Sequence, residues 1–283
     1  EIIGNSGYLG NFKTRVLRDG KETEIDHGIT IIATGAEEYR PNEYLYGSDD
    51  RVLTLLEIEE MIAGNDRKVI DAKSMTMILC TGWRREDTPH CSRVCCSQAV
   101  KCALTLKKIN PKIDIYILYR DMRTYGFKEN YYLEASSQGV NFIRYEVDDK
   151  PSVEVIGRND KTQLRVSVTD SIVEQKLILD TDILALAAAV VPLAENKKIS
   201  RLFRLPLNQD GFFSEAHMKL RPVDFAAEGV YLCGTAHFPK FIDETIAQAH
   251  AAACRAVTIL SKDKIVSSGT ACEVNRELCI GCG

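Results

Sequence analysis

Apolar and polar positions along the chain change period several times, and the changes divide it into segments. Residues 7–33 alternate with a period of two, as half-buried strands do. Asn11 to Leu17, the turn Arg18-Asp19-Gly20 and Glu22 to Asp26 predict a hairpin. A short buried strand, Gly28 to Ile32, follows and ends in Ala33-Thr34-Gly35. The pattern then alternates between helix and strand. Helices are predicted over Thr54 to Ala63, Val94 to Ile109 and Glu129 to Gln138. Continuous apolar strands are predicted over Met75 to Cys80, Asp114 to Tyr119 and Asn141 to Arg144. That order is the mark of a parallel sheet covered by helices.

Two-residue alternation returns over residues 152–187. Ser152 to Ile156, Gln163 to Val168 and Glu174 to Leu179 predict a meander, with a turn at Arg158-Asn159-Asp160. Asp182 to Ala187 is a further buried strand, leaving through Ala188-Ala189 toward Pro192. Phe212-Phe213 and Val230 to Cys233 read as short strands, and Glu244 to Leu260 as a long alanine-rich helix. A meander feeding a buried strand with a small-residue exit thus occurs twice, ending at Gly35 and near Ala189.

Composition narrows the function classes. The chain has 283 residues, enough for two modest cores. Its net charge is −4 with no basic stripe, which argues against nucleic acid as the main partner. No apolar run approaches the ~20 residues of a membrane helix, so no membrane insertion is expected. Ten cysteines are present, bunched at 80–102 and 272–282. Adjacent Cys95-Cys96 and a terminal C-x2-C at Cys279 and Cys282 suit metal ligation in a reducing, cytoplasmic setting better than disulfides. The chain opens at Glu1 directly in strand-like sequence and stops one residue after that C-x2-C motif, which reads as a fragment of something longer.

The most specific chemistry lies in Cys80, Cys91, Cys95 and Cys96, spaced C-x10-C-x3-C-C. They span a strand-to-helix connection, where a dinucleotide-binding sheet carries its glycine-rich loop. After Cys80 comes Thr81-Gly82-Trp83-Arg84-Arg85 instead of G-x-G-x-x-G, so a pyridine-nucleotide site reads as lost. Four thiolates hold zinc or an iron–sulfur cluster, and spacing alone leaves both open. Cys102, Cys233 and Cys254 read as small buried hydrophobes, and Cys272 as either ligand or linker. A second site is marked by Ala33-Thr34-Gly35 and by Gly229-Val230-Tyr231-Leu232-Cys233-Gly234-Thr235-Ala236. Small residues at strand ends let the backbone approach a flat ligand. The helix entered at Asp243-Glu244-Thr245 would aim its positive end at the same place. Gly4, Gly7 and Gly10 do not have the spacing of a pyrophosphate loop.

These motifs resemble the thioredoxin-reductase-type flavoproteins, and more specifically the A subunits of heterodisulfide reductases. The likeness is carried by residues 38–47 (EYRPNEYLYG), 91–101 (CSRVCCSQAVK), 219–224 (KLRPVD) and 234–240 (GTAHFPK). It implies an α/β, two-domain pyridine-nucleotide-disulfide-oxidoreductase-like flavoprotein fold, in which an FAD domain carries an inserted degenerate NAD-like domain. The first FAD-domain unit would be missing. Residues 1–50 and 193–265 would form the FAD domain, 51–192 the inserted domain, and 266–283 the start of a ferredoxin-like domain. By the same resemblance FAD would contact Ala33, Thr34, Gly35, Gly234, Thr235, Ala236, His237, Thr245 and Ile246. A [4Fe–4S] cluster would be held by Cys80, Cys91, Cys95 and Cys96, while Cys279 and Cys282 begin another site. Lys101, five residues after Cys96, would act as a catalytic proton donor near the flavin. The expected activity is electron transfer, with electron bifurcation included, inside a heterodisulfide reductase-type complex with other subunits and with a homo-oligomeric arrangement. An NAD(P)H-dependent flavin disulfide reductase and a zinc-stabilised scaffold are the alternatives.

Overall fold

The computed structural model describes residues 1–158, 161–266, 274 and 277–280. The chain begins with an antiparallel sheet of β1 (Ile2–Tyr8), β2 (Asn11–Arg18) and β3 (Lys21–His27), in that order. Asp19 and Gly20 join β2 to β3, both with positive φ (51° and 75°). That is the mirror-image turn whose twist matches a hairpin. β4 (Thr30–Ile32) and β5 (Glu37–Glu38) follow, and then a parallel layer begins: β6 (Val52–Thr54), α1 (Leu55–Ala63), α2 (Arg67–Ile70), β7 (Ser74–Thr81), α3 (Cys95–Ile109), β8 (Asp114–Tyr119), α4 (Glu129–Ser137) and β9 (Val140–Arg144). The meander is β10 (Ser152–Arg158), β11 (Lys161–Asp170) and β12 (Gln175–Thr181). β13 (Ile183–Ala188), β14 (Val190–Val191), α5 (Asn196–Phe203), β15 (Val230–Leu232) and α6 (Ile242–Leu260) complete the order.

The central sheet runs β6-β13-β7-β8-β9, and every neighbouring pair is parallel. The period-two geometry of β7 sorts its side chains. Met75, Met77 and Leu79 face α1, α3 and α4 through Leu55, Ile58, Ala99, Val100, Ala103 and Ala135. Ile78 faces the other way, with Leu118, Leu184 and Leu186, onto Leu164, Val166 and Val168 of the meander. Burial on both faces explains why these strands read as unbroken apolar runs. Thr54 closes the start of α1 with a capping box: its Oγ1 accepts from Glu57 N, while Glu57 accepts from Thr54 N at 2.8 Å.

The ends of the chain rejoin outside this layer. β4 and β15 pair in parallel, Ile32 opposite Leu232. Around them Phe12, Ile32, Phe203, Leu205, Phe213, Phe225 and Leu232 form a separate core. The helix α6 adds Ala252 and Ala256 against Tyr231 and Cys233. The chain crosses between the two cores twice, and the two passages pair with each other as β5 and β14.

Two expectations are corrected here. Phe212-Phe213 forms no strand but a single bridge, Leu207 to Phe213, because Phe212 N donates to Asn208 Oδ1 at 2.9 Å and Phe213 N to Ala236 O at 3.1 Å instead of to a neighbouring strand. Cys254 is exposed on α6 instead of buried, because the helix turns its alanines inward. The turn predicted at residues 158–160 includes Asn159 and Asp160, which lie outside the described residues.

Candidate functional site

Parallel pairing of β4 and β15 brings two sequence motifs to one sheet end. Cys233 N donates to Ile32 O at 3.1 Å, so Ala33-Thr34-Gly35 and Gly234-Thr235-Ala236 leave side by side. Gly35 and Gly234 both have positive φ (84° and 73°), a conformation that glycine takes without strain. A Cβ at Gly35 would meet Thr235 Oγ1 at 3.9 Å, and one at Gly234 would meet Thr245 Cγ2 at 3.6 Å. The backbone there is open, as close approach of a flat ring requires. Thr245 lies in the first turn of α6, and Ile246 beside it is exposed. Phe213 N donates to Ala236 O and holds the turn from below.

A cavity of about 320 Å³ opens beside this turn. Among the side chains lining it are Arg93, Glu215, His237, Lys240, Glu244 and Gln248. Gln248 Oε1 accepts from Gly234 N at 2.9 Å, which turns its amide nitrogen toward His237 Nδ1 at 2.8 Å. His237 Nδ1 is therefore an acceptor, and the ring proton sits on Nε2, where it donates to Glu215 Oε2 at 2.7 Å. Lys240 Nζ donates to Gly234 O at 2.9 Å and lies 3.3 Å from His237 Nδ1. Burial, with the nearby Lys240 charge, lowers the His237 pKa despite Glu215. Burial also pushes Lys240 down to about 8, with Arg93 adding to the effect and Glu244 and Glu215 opposing it. Burial pushes the Glu215 carboxyl up, but hydrogen bonds from its own backbone and from His237 carry it below the usual range.

The cysteine segment forms a separate cluster of contacts. Cys80 ends β7, Cys91 lies in the following loop, and Cys95 and Cys96 open α3, both buried. All four are free thiols. Burial raises Cys80, Cys95 and Cys96, with Cys96 reaching about 11. Each of these three also feels the other thiols: Cys95 is raised by Cys96, Cys80 and Cys91, and Cys96 by Cys80 and Cys91. The quartet therefore lies within mutual electrostatic reach. Among the described residues no three His, Cys, Asp or Glu side chains are close enough to grip a single ion. Positive φ at Cys80, Gly82, Arg84 and Arg93 (62°, 75°, 60° and 64°) bends the loop around the sulfurs.

Charged residues hold this loop. Arg84 pairs with Asp121 and donates to Cys80 Sγ at 3.6 Å. Burial works against the Arg84 charge, but these hydrogen bonds outweigh it and raise its pKa. Arg120 donates to Arg84 O at 2.8 Å. Ser92 Oγ accepts from Val190 N of β14 at 2.8 Å. Arg93 N donates to Cys91 Sγ at 3.3 Å, and the Arg93 guanidinium reaches Glu244 of α6 at 2.6 Å. No pattern in the chain points to Arg93 or Glu215, since neither repeats and each partner is far away in sequence.

The crevice beyond β7 is filled by the protein itself. A methyl group on Gly82 would sit 2.1 Å from Tyr39 Cε1, and Trp83 packs on Tyr39 with ring centroids 5.3 Å apart. Tyr39 thus lies over the turn where a glycine loop would cradle a pyrophosphate. Lys101 is exposed on α3, in an ion pair with Glu59 at 2.6 Å, and borders a cleft between α3 and α4. It is not among the side chains lining the cavity beside Gly234. Cys102 and Cys233 are buried. Cys279 is exposed, and Cys272 and Cys282 lie outside the described residues.

The fold is that of the thioredoxin-reductase-like flavoproteins. Lactococcus lactis thioredoxin reductase superposes with a TM-score of 0.56 at 20% identity, covering 92% of this chain and 74% of that one. The thioredoxin reductase of T. acidophilum gives 0.53 at 14%, covering 92% and 72%. Within that class the chain is related by sequence to the A subunits of heterodisulfide reductases. The A subunit of the ferredoxin:CoB-CoM heterodisulfide reductase of Methanosarcina acetivorans is 34% identical over 301 residues, 92% of this chain and 37% of the relative. The A subunit of the H(2):CoB-CoM heterodisulfide,ferredoxin reductase of Methanothermobacter thermautotrophicus is 35% identical over 281 residues, 94% and 42%. The iron-sulfur A subunit of the CoB–CoM heterodisulfide reductase of Methanocaldococcus jannaschii is 32% identical over 278 residues, 93% and 42%. The chain spans about two fifths of the length of these curated relatives. No family model matches it. Among the described residues no helix is long and apolar enough to cross a membrane.

Proposed function

We propose that this chain is the flavin and iron–sulfur electron-transfer portion of a heterodisulfide reductase-type oxidoreductase whose chemistry is completed by other subunits. The observation that carries the reading is the tie between the two candidate sites. Arg93, two residues from Cys91 and two from Cys95, pairs with Glu244 in the first turn of α6. The sulfur loop therefore flanks the cavity next to Gly234-Thr235-Ala236. Bound FAD would exchange electrons in pairs and a [4Fe–4S] cluster would pass them singly. Ala33-Thr34-Gly35, Gly234-Thr235-Ala236, His237, Thr245 and Ile246 would hold the flavin, and Cys80, Cys91, Cys95 and Cys96 the cluster. Buried surroundings keep water from the thiols, and Arg84 offsets negative charge near Cys80.

The packing of Tyr39 on Gly82 weighs against direct entry of a hydride from NAD(P)H into the crevice. The deciding experiment is anaerobic purification and reconstitution, with iron, sulfide and FAD measured per chain. About four iron and four sulfide per cysteine quartet, with stoichiometric FAD, support the reading. Stoichiometric zinc without visible colour refutes it.

A further inference from the structure

The sequence points to Lys101 as a proton donor, yet its ammonium is committed to Glu59 on the outer face of α3. The cavity beside Gly234 holds a different lysine in a more constrained setting. Lys240 has three N–H bonds to give. One goes to Gly234 O at 2.9 Å and one is within reach of His237 Nδ1 at 3.3 Å. These two contacts leave one N–H over, and Lys240 lines the cavity.

What fixes this arrangement is the chain Gly234–Gln248–His237–Glu215. Gly234 N–H selects Gln248 Oε1, so the Gln248 NH2 must face His237. That locks Nδ1 as an acceptor and sends the Nε2 proton to Glu215. A protonated His237 would set its Nδ1–H against two donors, Gln248 and Lys240. The ring therefore stays neutral, and its single Nδ1 lone pair, 2.8 Å from Gln248 Nε2, is shared with Lys240 Nζ at 3.3 Å. The groups facing Lys240 are His237 and Gly234 O from the turn, Cys233 just before it, Glu215 from the segment before Ala216, Glu244 and Gln248 from α6, and Arg93 from the cysteine loop.

We propose that Lys240 is the proton donor of this cavity, with His237, Gln248 and Glu215 as its positioning residues. The proposal rests on the reading that the cavity takes a flavin ring. With FAD bound, the ring would take two electrons one at a time from the cysteine-held centre, and Lys240 would give one Nζ proton for the two. The N–H bond of the ammonium breaks, the proton passes to a ring nitrogen, and the neutral amine remains. Water then returns a proton to Lys240 through the open cavity mouth. An amine that titrates near the working pH is suited to both halves of that exchange.

The first test needs no flavin. Lysine reactivity toward an amine-modifying reagent, mapped residue by residue across pH, reports the titration of Lys240 in the whole chain. An apparent pKa near 8, against the roughly 10.4 of a lysine in a model peptide, supports the proposal. Titration of Lys240 with the surface lysines overturns it. Changing Gln248→Glu, which keeps an acceptor for Gly234 N but removes the donor to His237, is expected to move that value; no change removes the positioning role.

The second test uses the FAD-loaded chain. The midpoint potential of the flavin is followed against pH in the wild type, K240R and K240M. A break in the slope near pH 8, lost in both variants while FAD still binds, supports the proposal. A break that survives in K240R overturns it, since arginine does not titrate there. A wild-type chain that binds no FAD overturns the flavin reading on which the proposal rests, whichever way Lys240 titrates.

Discussion

Arg93 reaches Glu244 at 2.6 Å, and one ion pair thereby joins the loop of Cys91 to the first turn of α6. Glu244 also accepts from Phe241 N at 2.8 Å and so closes the helix start. Its charge sits at the positive end of α6. Both side chains are about one-third exposed, so solvent weakens the pair. Changing Glu244→Gln keeps an acceptor for Phe241 N and removes the charge. The expected cost is about 1 kcal/mol in thermal or denaturant unfolding. Iron retention after reconstitution is expected to fall more than stability does. A double-mutant cycle with Arg93→Met separates the pair from the helix cap.

The cysteines divide by what surrounds them. Cys80, Cys91, Cys95 and Cys96 influence one another electrostatically, whereas Cys102 contacts Glu59 and Cys233 packs beside Tyr231. Serine at Cys91, Cys95 or Cys96 is expected to abolish stable iron loading, measured as iron per chain. Serine at Cys102 or Cys233 is expected to leave iron unchanged.

The stability of the chain is expected to depend on pH through Lys240. Its pKa is lowered from 10.5 to about 8 in the folded state. The unfolded chain therefore holds more protons between those values, and stability rises with pH across that window. Below about pH 8 the burial penalty is fully present. A lowering of that size corresponds to at most about 3 kcal/mol; partial exposure reduces this to about 1–2 kcal/mol. Lys240→Met is expected to raise the unfolding temperature at about pH 7, with the gain shrinking toward about pH 10. Glu215 acts oppositely. Its lowered pKa contributes stability that is lost as pH falls below about 4.5.

Gly82 tests whether Tyr39 fills the crevice. Alanine there would place a methyl group 2.1 Å from the Tyr39 ring at a φ of +75°. A loss of about 2–4 kcal/mol is expected from overlap and backbone strain together. Adding Tyr39→Ala is expected to recover the overlap part only. Urea midpoints of the two single variants and the double variant measure both.

The parallel layer was legible because burial on both faces writes long apolar runs, as in Met75 to Leu79 and Ile183 to Ala188. The hairpin was legible from Asp19-Gly20, and α1 from Thr54 and Glu57. Other short elements were not, unlike β4 and β15. β6 has three residues and α2 four, too few for any period to show. α5 has an amphipathic pattern, but its polar-rich sequence (NKKISRLF) resembles a loop. At the candidate sites, cysteines and glycines announced themselves through spacing. The residues that hold them did not: Arg84 meets Asp121, Arg93 meets Glu244 and Ser92 meets Val190 across gaps that no local pattern spans. Long-range charge pairing leaves no periodic trace in a chain.

The zipped crossovers β5 and β14 also carry a mechanical consequence. Val190 of β14 is fastened to Ser92, between Cys91 and Arg93. A change in the angle between the two lobes at that double strap would reach the sulfur loop through Ser92. Under the proposed reading, lobe orientation would then also set the distance between cluster and flavin.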